Sequence, residues 1–273
     1  MTTRPDTRVR DPRAEAFVLP ARPELTGGRR VGVLMSHGFT GSPASMRPWA
    51  EALAAQGYGV RAPRLPGHGT TWQDMARTGW ADWRGELEGA LDVLLAEHDV
   101  VAVAGLSMGG ALALRLAADR PDDVAALVLV NPAVTSRDRR LVAVPLLRRV
   151  IASMPGIGND IRARVEDGAE VDELGYDRVP LAALHEMIAG WRSLRGDLGR
   201  VVAPLLMFRS VTDHVVDPSS GAAITAGVGS AQVTERLLEH SWHVATLDHD
   251  LPVIVEESAA FLAAACGVDP TDG

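Results

Sequence analysis

Lysine is absent from this sequence. All 27 basic residues among the 273 are arginine. A lysine amine is required for Schiff-base chemistry, for binding pyridoxal phosphate, for the phosphate-binding P-loop and for a Ser–Lys catalytic dyad. These four classes of site are therefore excluded.

Cysteine is nearly absent, and long apolar runs are missing as well. The one cysteine, Cys266, cannot form an internal disulfide and is compatible with a reducing cytoplasm. No run approaches the roughly 20 apolar residues that span a bilayer, and residues 1–12 show no apolar core of a secretory signal. We therefore expect a soluble cytoplasmic protein.

An excess of positive charge is also missing. The net charge is −8, whereas nucleic-acid binding depends on clustered positive charge, so we expect no nucleic-acid partner. The metal-ligand spacings HExxH and CxxC do not occur. We therefore expect neither a metal nor another cofactor.

The order of apolar patterns predicts an α/β fold, with a mostly parallel central sheet and helices on both faces. The runs that predict strands, separated by helical segments, lie at 14–20, 31–36, 58–62, 100–104, 124–131, 204–209 and 234–238. From 133 to about 200 no strand-like run occurs. We therefore predict a core at 1–134 and 201–273, interrupted by an inserted cap at 135–200.

The segment Gly-Leu-Ser-Met-Gly at 105–109 lies between a predicted strand and a predicted helix. Gly-x-Ser-x-Gly in that setting is typical of a nucleophile elbow, a turn so sharp that the positions two residues either side of the serine must lack a Cβ. The alternative is an ordinary glycine-bounded loop whose serine caps a helix. The setting favours Ser107 as a nucleophile.

A serine nucleophile needs a histidine base, and that base needs an acid; on this fold the acid precedes the histidine along the chain. Asp213 follows a predicted strand closely and is our candidate acid. Asp217 is its competitor, although the sequence Asp-Pro-Ser-Ser at 217–220 is typical of a helix N-terminus.

The candidate base is His243, which follows the predicted strand 234–238 and precedes the last predicted helix. This position brings it to the carboxyl edge of the sheet. His214, His240 and His249 lie nearby and stay open as alternatives.

Acyl transfer also needs two N–H donors directed at the oxyanion. One should be the backbone N–H of Met108, directly after the nucleophile. The other should come from the loop after an early core strand, where His-Gly-Phe-Thr-Gly lies at 37–41. Phe39 is the candidate donor in that loop.

Several motifs occur together and in order: HGFTG at 37–41, PRLPGHGT at 63–70, GLSMGG at 105–110, DHVV at 213–216 and HVATLD at 243–248. This set resembles the bacterial monoacylglycerol lipases and their carboxylesterase relatives in the α/β-hydrolase superfamily. The resemblance implies a catalytic triad of Ser107, Asp213 and His243, with Phe39 and Met108 at the oxyanion hole.

The resemblance also implies that the insertion is a cap (lid) over the active site, with Glu173 and Ile157 contacting substrate. The apolar segment 141–147 is followed by Val150 and Ile151 and flanked by arginines. One interpretation is core packing with a solvated charged flank. The other is a lid that lines an acyl tunnel and makes transient contact with lipid interfaces.

The predicted function is that of a serine hydrolase cleaving carboxylic esters, above all monoacylglycerols, through an acyl-enzyme. The expected partner is a small lipid or ester substrate. One alternative is a carboxylesterase for short- to medium-chain acyl esters. Another, from a different class, is a catalytically silent binding protein with the same fold.

Overall fold

The computed structural model describes residues 9–268. Its strands are β1 (Phe17–Leu19), β2 (Val31–Ser36), β3 (Gly59–Ala62), β4 (Val100–Leu106), β5 (Leu127–Val130), β6 (Ser153–Pro155), β7 (Arg178–Pro180), β8 (Leu205–Ser210) and β9 (Val233–Leu238). Seven of them form one sheet in the order β1-β3-β2-β4-β5-β8-β9. All neighbouring pairs in it are parallel except β1 with β3, which confirms the predicted sheet.

The helices are α1 (Arg47–Ala55), α2 (Trp72–Met75), α3 (Trp80–Glu97), α4 (Met108–Asp119), α5 (Val144–Leu147), α6 (Arg162–Glu166), α7 (Leu181–Asp197), α8 (Ser219–Gly227) and α9 (Leu251–Cys266). The core lies in two layers because alternate residues of a strand face opposite sides of the sheet. In β5, Leu127 and Leu129 pack in the layer of α3, α4 and α7. Val128 and Val130 pack in the layer of α1 and α9.

Local sequence signals set both ends of the first crossover helix. The Ser42 hydroxyl accepts a hydrogen bond from the Ala44 N–H at 3.3 Å, and residues 43–46 form a 3₁₀ turn that leads into α1. Gly57 follows the helix with a φ of +101°. A Cβ there would lie 2.8 Å from the carbonyl oxygen of Arg22, so the chain can turn back into β3 only with glycine.

The segment between β5 and β8 carries α5, α6 and α7, as well as a small antiparallel sheet of β6 and β7. The expectation that this segment lacks strands is therefore wrong. Each of the two strands has three residues and ends in a proline, so neither is long enough to show an alternating pattern. The limits 1–134, 135–200 and 201–273 stay a prediction.

The apolar segment of the cap is mostly on the surface. Val144 is buried, but Val142, Leu146 and Val150 are 79 %, 69 % and 81 % exposed. The interpretation of this segment as core packing is therefore wrong for most of its side chains. Helix α7, in contrast, contributes Leu181, Leu184 and Leu194 to the main core. Within residues 9–268, no helix combines the length and apolarity needed to cross a membrane.

Candidate active site

Ser107 occupies a strained turn between β4 and α4, with φ 56° and ψ −118°. A Cβ at Gly109 would overlap the carbonyl oxygen of Ser36 in β2 and lie 2.6 Å from that of His37. A Cβ at Gly105 would lie 2.6 Å from the backbone nitrogen of Gly110 in α4. The elbow geometry is therefore present, and both glycines are required by close backbone approach.

Backbone strain concentrates around this turn. In the described part of the chain, the non-glycine residues with positive φ are Thr40, Ser107, Asn131, Asn159 and Leu174. Each is a predicted site residue, is adjacent to one in sequence, or is hydrogen-bonded to one. Such conformations cost on the order of 1–3 kcal/mol each and persist where the surrounding structure holds them in place. They thus group in the loops after β2, β4 and β5 and in the segment that carries Glu173, which are the places where the site residues are predicted.

Asp213 and His243 form a buried hydrogen-bonded pair. Oδ2 of Asp213 lies 2.8 Å from Nδ1 of His243, and the two side chains are only 7 % and 8 % exposed. Oδ1 of Asp213 accepts the backbone N–H groups of Val215 and Val216, both at 2.8 Å. The acid is thus fixed by its own loop and directed at the imidazole.

The electrostatics of the pair favour an ionised acid and a basic histidine. Burial alone would lower the pKa of His243, but the charge and hydrogen bond of Asp213, together with the charges of Glu173 and Asp160, outweigh burial, so this pKa is raised above its ordinary 6.5. Burial alone would raise the pKa of Asp213, but His243 and the two backbone N–H groups outweigh it, so this pKa is lowered. With Nδ1 bonded to Asp213, Nε2 is the ring atom available to take a proton.

Ser107 and His243 are connected through the carboxyl end of β5. The Ser107 N–H donates to the carbonyl of Val130 at 2.9 Å. The next residue, Asn131, donates from Nδ2 to the carbonyl of His243 at 2.8 Å. Within residues 9–268 the Ser107 hydroxyl forms no hydrogen bond with His243. Catalytic hydrogen bonds are often long before substrate binds.

The alternative acid and bases have other partners. Asp217 accepts the N–H groups of Ser219, at the start of α8, and of Arg137. His214 Nδ1 lies 2.8 Å from Asp160, and His249 Nε2 lies 3.0 Å from Asp167. His240 is exposed, and its backbone N–H donates to Asp250 at 2.9 Å. These contacts favour Asp213 and His243 over their alternatives.

The backbone N–H groups of Phe39 and Met108 donate to no other described residue. Met108 is the first residue of α4, where helical N–H groups have no partner within the helix. The Phe39 ring packs edge-on against Trp83, with 5.9 Å between ring centroids. The two donors that an oxyanion needs are thus available on both sides of the elbow.

Two buried histidines pack together at the loop that carries Phe39: His37 begins the loop, and His68 lies against it. The His37 and His68 rings are 5.0 Å apart, and His37 Nε2 accepts the Leu65 N–H at 3.2 Å. Burial, together with the charge His68 would carry, lowers the pKa of His37 well below 6.5. Burial lowers the pKa of His68 to about 4. Both rings are neutral near pH 7 and serve as packing and hydrogen-bonding groups.

Of the two residues implied in substrate contact, the structure brings Glu173 to the site. Its carboxylate is buried, which raises its pKa, and Oε1 accepts the Asn159 N–H at 2.7 Å. A Cβ at Gly41 would lie 3.0 Å from Oε2, so the carboxylate lies against the loop of Phe39. Ile157, in contrast, is 62 % exposed on the cap surface, and its role stays a prediction.

Comparison with known proteins assigns the family. A family model described as serine aminopeptidase, S33 (Hydrolase_4), matches residues 28–250. The chain belongs to this family. The thermostable monoacylglycerol lipase of Bacillus sp. (strain H-257) is 40 % identical to it over 252 residues, covering 90 % of this chain and 96 % of that protein. The carboxylesterase of Bacillus subtilis (strain 168) is 25 % identical over 249 residues, covering 90 % and 97 %.

A solved structure resembles this chain closely. It is one of the metagenome-derived lipolytic enzymes LipS and LipT, with a TM-score of 0.86 and 40 % identity, covering 94 % of this chain and 100 % of that one. The α/β-hydrolase fold and the resemblance to bacterial monoacylglycerol lipases and carboxylesterases are both confirmed. The protein is a hydrolase of this superfamily.

Reasoning from sequence misses two polar residues of the candidate active site. Asn131 bridges β5, Ser210 in β8 and His243. Asp160 contacts both His214 and His243. The Asn-Pro sequence at 131–132, at the end of the predicted strand 124–131, could have marked the first. No spacing or motif marks the second.

Proposed function

We propose that this protein cleaves carboxylic esters, above all monoacylglycerols, through an acyl-enzyme on Ser107. The observation that carries the proposal is the buried Asp213–His243 pair at the same sheet edge as a strained serine and two N–H donors that have no partner among residues 9–268. A binding protein with this fold has no need of that combination.

In the first half-reaction, Oγ of Ser107 attacks the ester carbonyl carbon while Nε2 of His243 takes the hydroxyl proton. Asp213 holds the imidazole in the tautomer with its proton on Nδ1 and stabilises the imidazolium that forms. The N–H groups of Phe39 and Met108 donate to the oxyanion, each worth about 3–4 kcal/mol in the transition state. The C–O bond then breaks, and His243 protonates the leaving alcohol.

In the second half-reaction, water replaces the alcohol. His243 removes a proton from the water as it attacks the acyl carbon, and the second tetrahedral oxyanion occupies the same two N–H donors. Its collapse breaks the bond to Oγ, returns the proton from His243 to Ser107 and releases the fatty acid. No cofactor takes part in this scheme.

Glycerol recognition is assigned to Glu173. Its carboxylate lies in the cap directly against the loop of Phe39, where it can accept hydrogen bonds from the free hydroxyls of a monoacylglycerol. We assign Ile157, on the same cap segment, to the wall of the path by which substrate enters. The 40 % identity to a monoacylglycerol lipase over 90 % of this chain supports this substrate class.

The cap is assigned a transient contact with lipid interfaces. Three of its side chains, Val142, Leu146 and Val150, are more than two thirds exposed, and the arginines of the same stretch, at 137, 139, 140, 148 and 149, are exposed as well. An exposed apolar patch flanked by cations fits the boundary of an anionic lipid aggregate. A location in the cytoplasm is part of the proposal and rests on the amino-acid sequence.

A fluorophosphonate probe together with a panel of esters tests the proposal. The probe should label the wild type and the exposed-site control Ser136→Ala, but not Ser107→Ala, whose kcat should fall by about 10⁶-fold. Monolauroylglycerol should be cleaved faster than methyl laurate and dilauroylglycerol. Equal rates on monolauroylglycerol and methyl laurate would instead indicate a general carboxylesterase, and failure to label Ser107 would exclude a serine hydrolase.

A further inference from the structure

Asp160 is a buried cap residue that contacts the loops of both the candidate acid and the candidate base. It lies directly before the N-cap residue of α6 and is only 7 % exposed. Oδ1 lies 2.8 Å from His214 Nδ1. Oδ2 accepts the backbone N–H of His243 at 3.2 Å and that of His214 at 3.3 Å. One carboxylate therefore bonds to the residue after Asp213 and to the base itself.

The same cap segment both accepts hydrogen bonds from the loop of His243 and donates hydrogen bonds to it. The carbonyl of Asp160 accepts the Val244 N–H at 3.1 Å. In return, Asp248 of that loop accepts the N–H groups of Arg162 and Ala163 at the start of α6, at 2.7 and 2.9 Å. The cap cannot shift here without disturbing the backbone on either side of His243.

This arrangement matters because the acid and the base come from separate loops. Asp213 follows β8 and His243 follows β9, 30 residues later in the chain. Their hydrogen bond requires the two loops to keep one relative position, and a displacement of about 1 Å can lower a catalytic rate by about 10²-fold. Asp160 is bonded to both loops at once.

The segment also contacts Glu173, to which glycerol recognition is assigned. Asn159, the residue before Asp160, donates its N–H to Glu173 Oε1 at 2.7 Å and accepts the Glu173 N–H on Oδ1 at 2.9 Å. Glu173 is thus connected to His243 through its hydrogen bonds with Asn159, the peptide bond between residues 159 and 160, and the hydrogen bond of Asp160 with His243.

We propose that Asp160 is a positioning residue. It holds the loops of Asp213 and His243 in one relative position and couples that position to the cap. This inference rests on the proposed function, because the roles of Asp213 and His243 belong to it. Asp160 lies behind the base and bonds to its backbone, so it acts on the rate through His243 and leaves substrate affinity to other groups.

Three variants test the proposal on hydrolysis of 4-nitrophenyl butyrate. Asp160→Ala removes all contacts of the carboxylate, and Asp160→Asn keeps its size but loses the charge. His214→Ala removes one partner and keeps the bond to His243. We expect kcat to fall about 10²-fold in Asp160→Ala, less in Asp160→Asn, and about 10-fold in His214→Ala, with KM within about threefold of wild type. Asp177→Ala, an exposed cap aspartate, is the matched control and should keep full activity.

Two further readouts separate positioning from stability alone. The rate at which a fluorophosphonate labels Ser107 should fall in proportion to kcat, and the low-field proton resonance of the Asp213–His243 hydrogen bond should shift or broaden. Folded Asp160→Ala and Asp160→Asn with wild-type kcat and labelling rates would overturn the proposal, even if their Tm is lower. If both fail to fold, His214→Ala decides by the same measures. A wild type that the probe does not label would overturn the proposed function instead.

Discussion

The side-chain amide of Asn131 donates a hydrogen bond to the backbone carbonyl of His243, at 2.8 Å. The same amide nitrogen donates to Ser210 Oγ at 2.9 Å, and Oδ1 accepts the Ser210 N–H at 2.7 Å. Ser210 is the last residue of β8, three positions before Asp213. Asn131 therefore connects the end of β8, three residues before the acid, to the loop that carries the base.

Replacing Asn131 should impair both stability and catalysis. Asn131→Ala leaves buried groups of Ser210 and His243 without partners, which costs about 1–3 kcal/mol in the free energy of unfolding, and we expect kcat to fall at least tenfold. Asn131→Gly tolerates the positive φ of 44° and separates backbone strain from lost bonds. Urea unfolding and steady-state kinetics check both. Full activity in the glycine variant would show that the hydrogen bonds are dispensable.

The Asp213–His243 pair predicts the acid limb of the pH–rate profile. Hydrolysis needs neutral His243, and its pKa is raised above 6.5, so kcat/KM should fall as the pH drops through that raised value. In Asp213→Asn the carboxylate that contributes most to raising this pKa is lost. The limb should therefore move to lower pH, while kcat falls by about 10⁴-fold.

The control for this experiment is Asp217→Asn, which alters the aspartate at the start of α8. It should retain most of the activity and keep the acid limb of the wild type. A greater loss in Asp217→Asn than in Asp213→Asn would mean that the acid is wrongly assigned.

His68 predicts a loss of stability in acid. Its pKa is about 4 in the folded protein, against an ordinary 6.5, so between these values the unfolded chain binds a proton that the folded chain does not. The free energy of unfolding should therefore fall as the pH decreases from about 6.5 to about 4, by about 3 kcal/mol from this group. Urea unfolding of wild type and His68→Gln across that range should show a shallower slope in the variant. Identical slopes would contradict the prediction.

The elements that were predictable from sequence are those with a repeated or spaced signal. β2, β4 and β8 are continuous apolar runs, and the elbow combines two glycines with a strand before and a helix after. Periodicity and close backbone approach act over a few adjacent residues, so they leave a pattern in the sequence.

Contacts between distant loops leave no such pattern. Asp160 lies 83 residues from His243, and Asn131 lies 79 residues from Ser210. Each is one polar residue in an irregular segment. β6 and β7 were missed for a related reason, since three residues ending in proline cannot show alternation. The cap is formed largely by such features, and so it is the least predictable part.

Glu173 predicts selectivity for the glycerol end of the substrate. Glu173→Gln keeps the size of the side chain but weakens any hydrogen bond that its carboxylate accepts. We expect kcat/KM for monolauroylglycerol to fall about 10-fold or more, which corresponds to the loss of one charge-assisted hydrogen bond, while that for methyl laurate changes little. Glu170→Gln, an exposed cap glutamate, is the control. Equal losses on the two esters would show that Glu173 is structural and does not contact glycerol.

The exposed patch of the cap predicts binding to anionic lipid surfaces. Leu146 and Val150 are 69 % and 81 % exposed, and burying side chains of this size is worth about 1.5–3 kcal/mol each. Leu146→Asp/Val150→Asp should therefore lower binding to phosphatidylglycerol vesicles in a sedimentation assay by at least tenfold. Hydrolysis of micellar monolauroylglycerol should fall with it.

The control is Val18→Asp/Val202→Asp, which adds the same charge at two positions of the predicted core, each 53 % exposed. It should leave vesicle binding nearly unchanged. Equal losses in the two double variants would trace the effect to net charge and exclude the patch as the lipid contact.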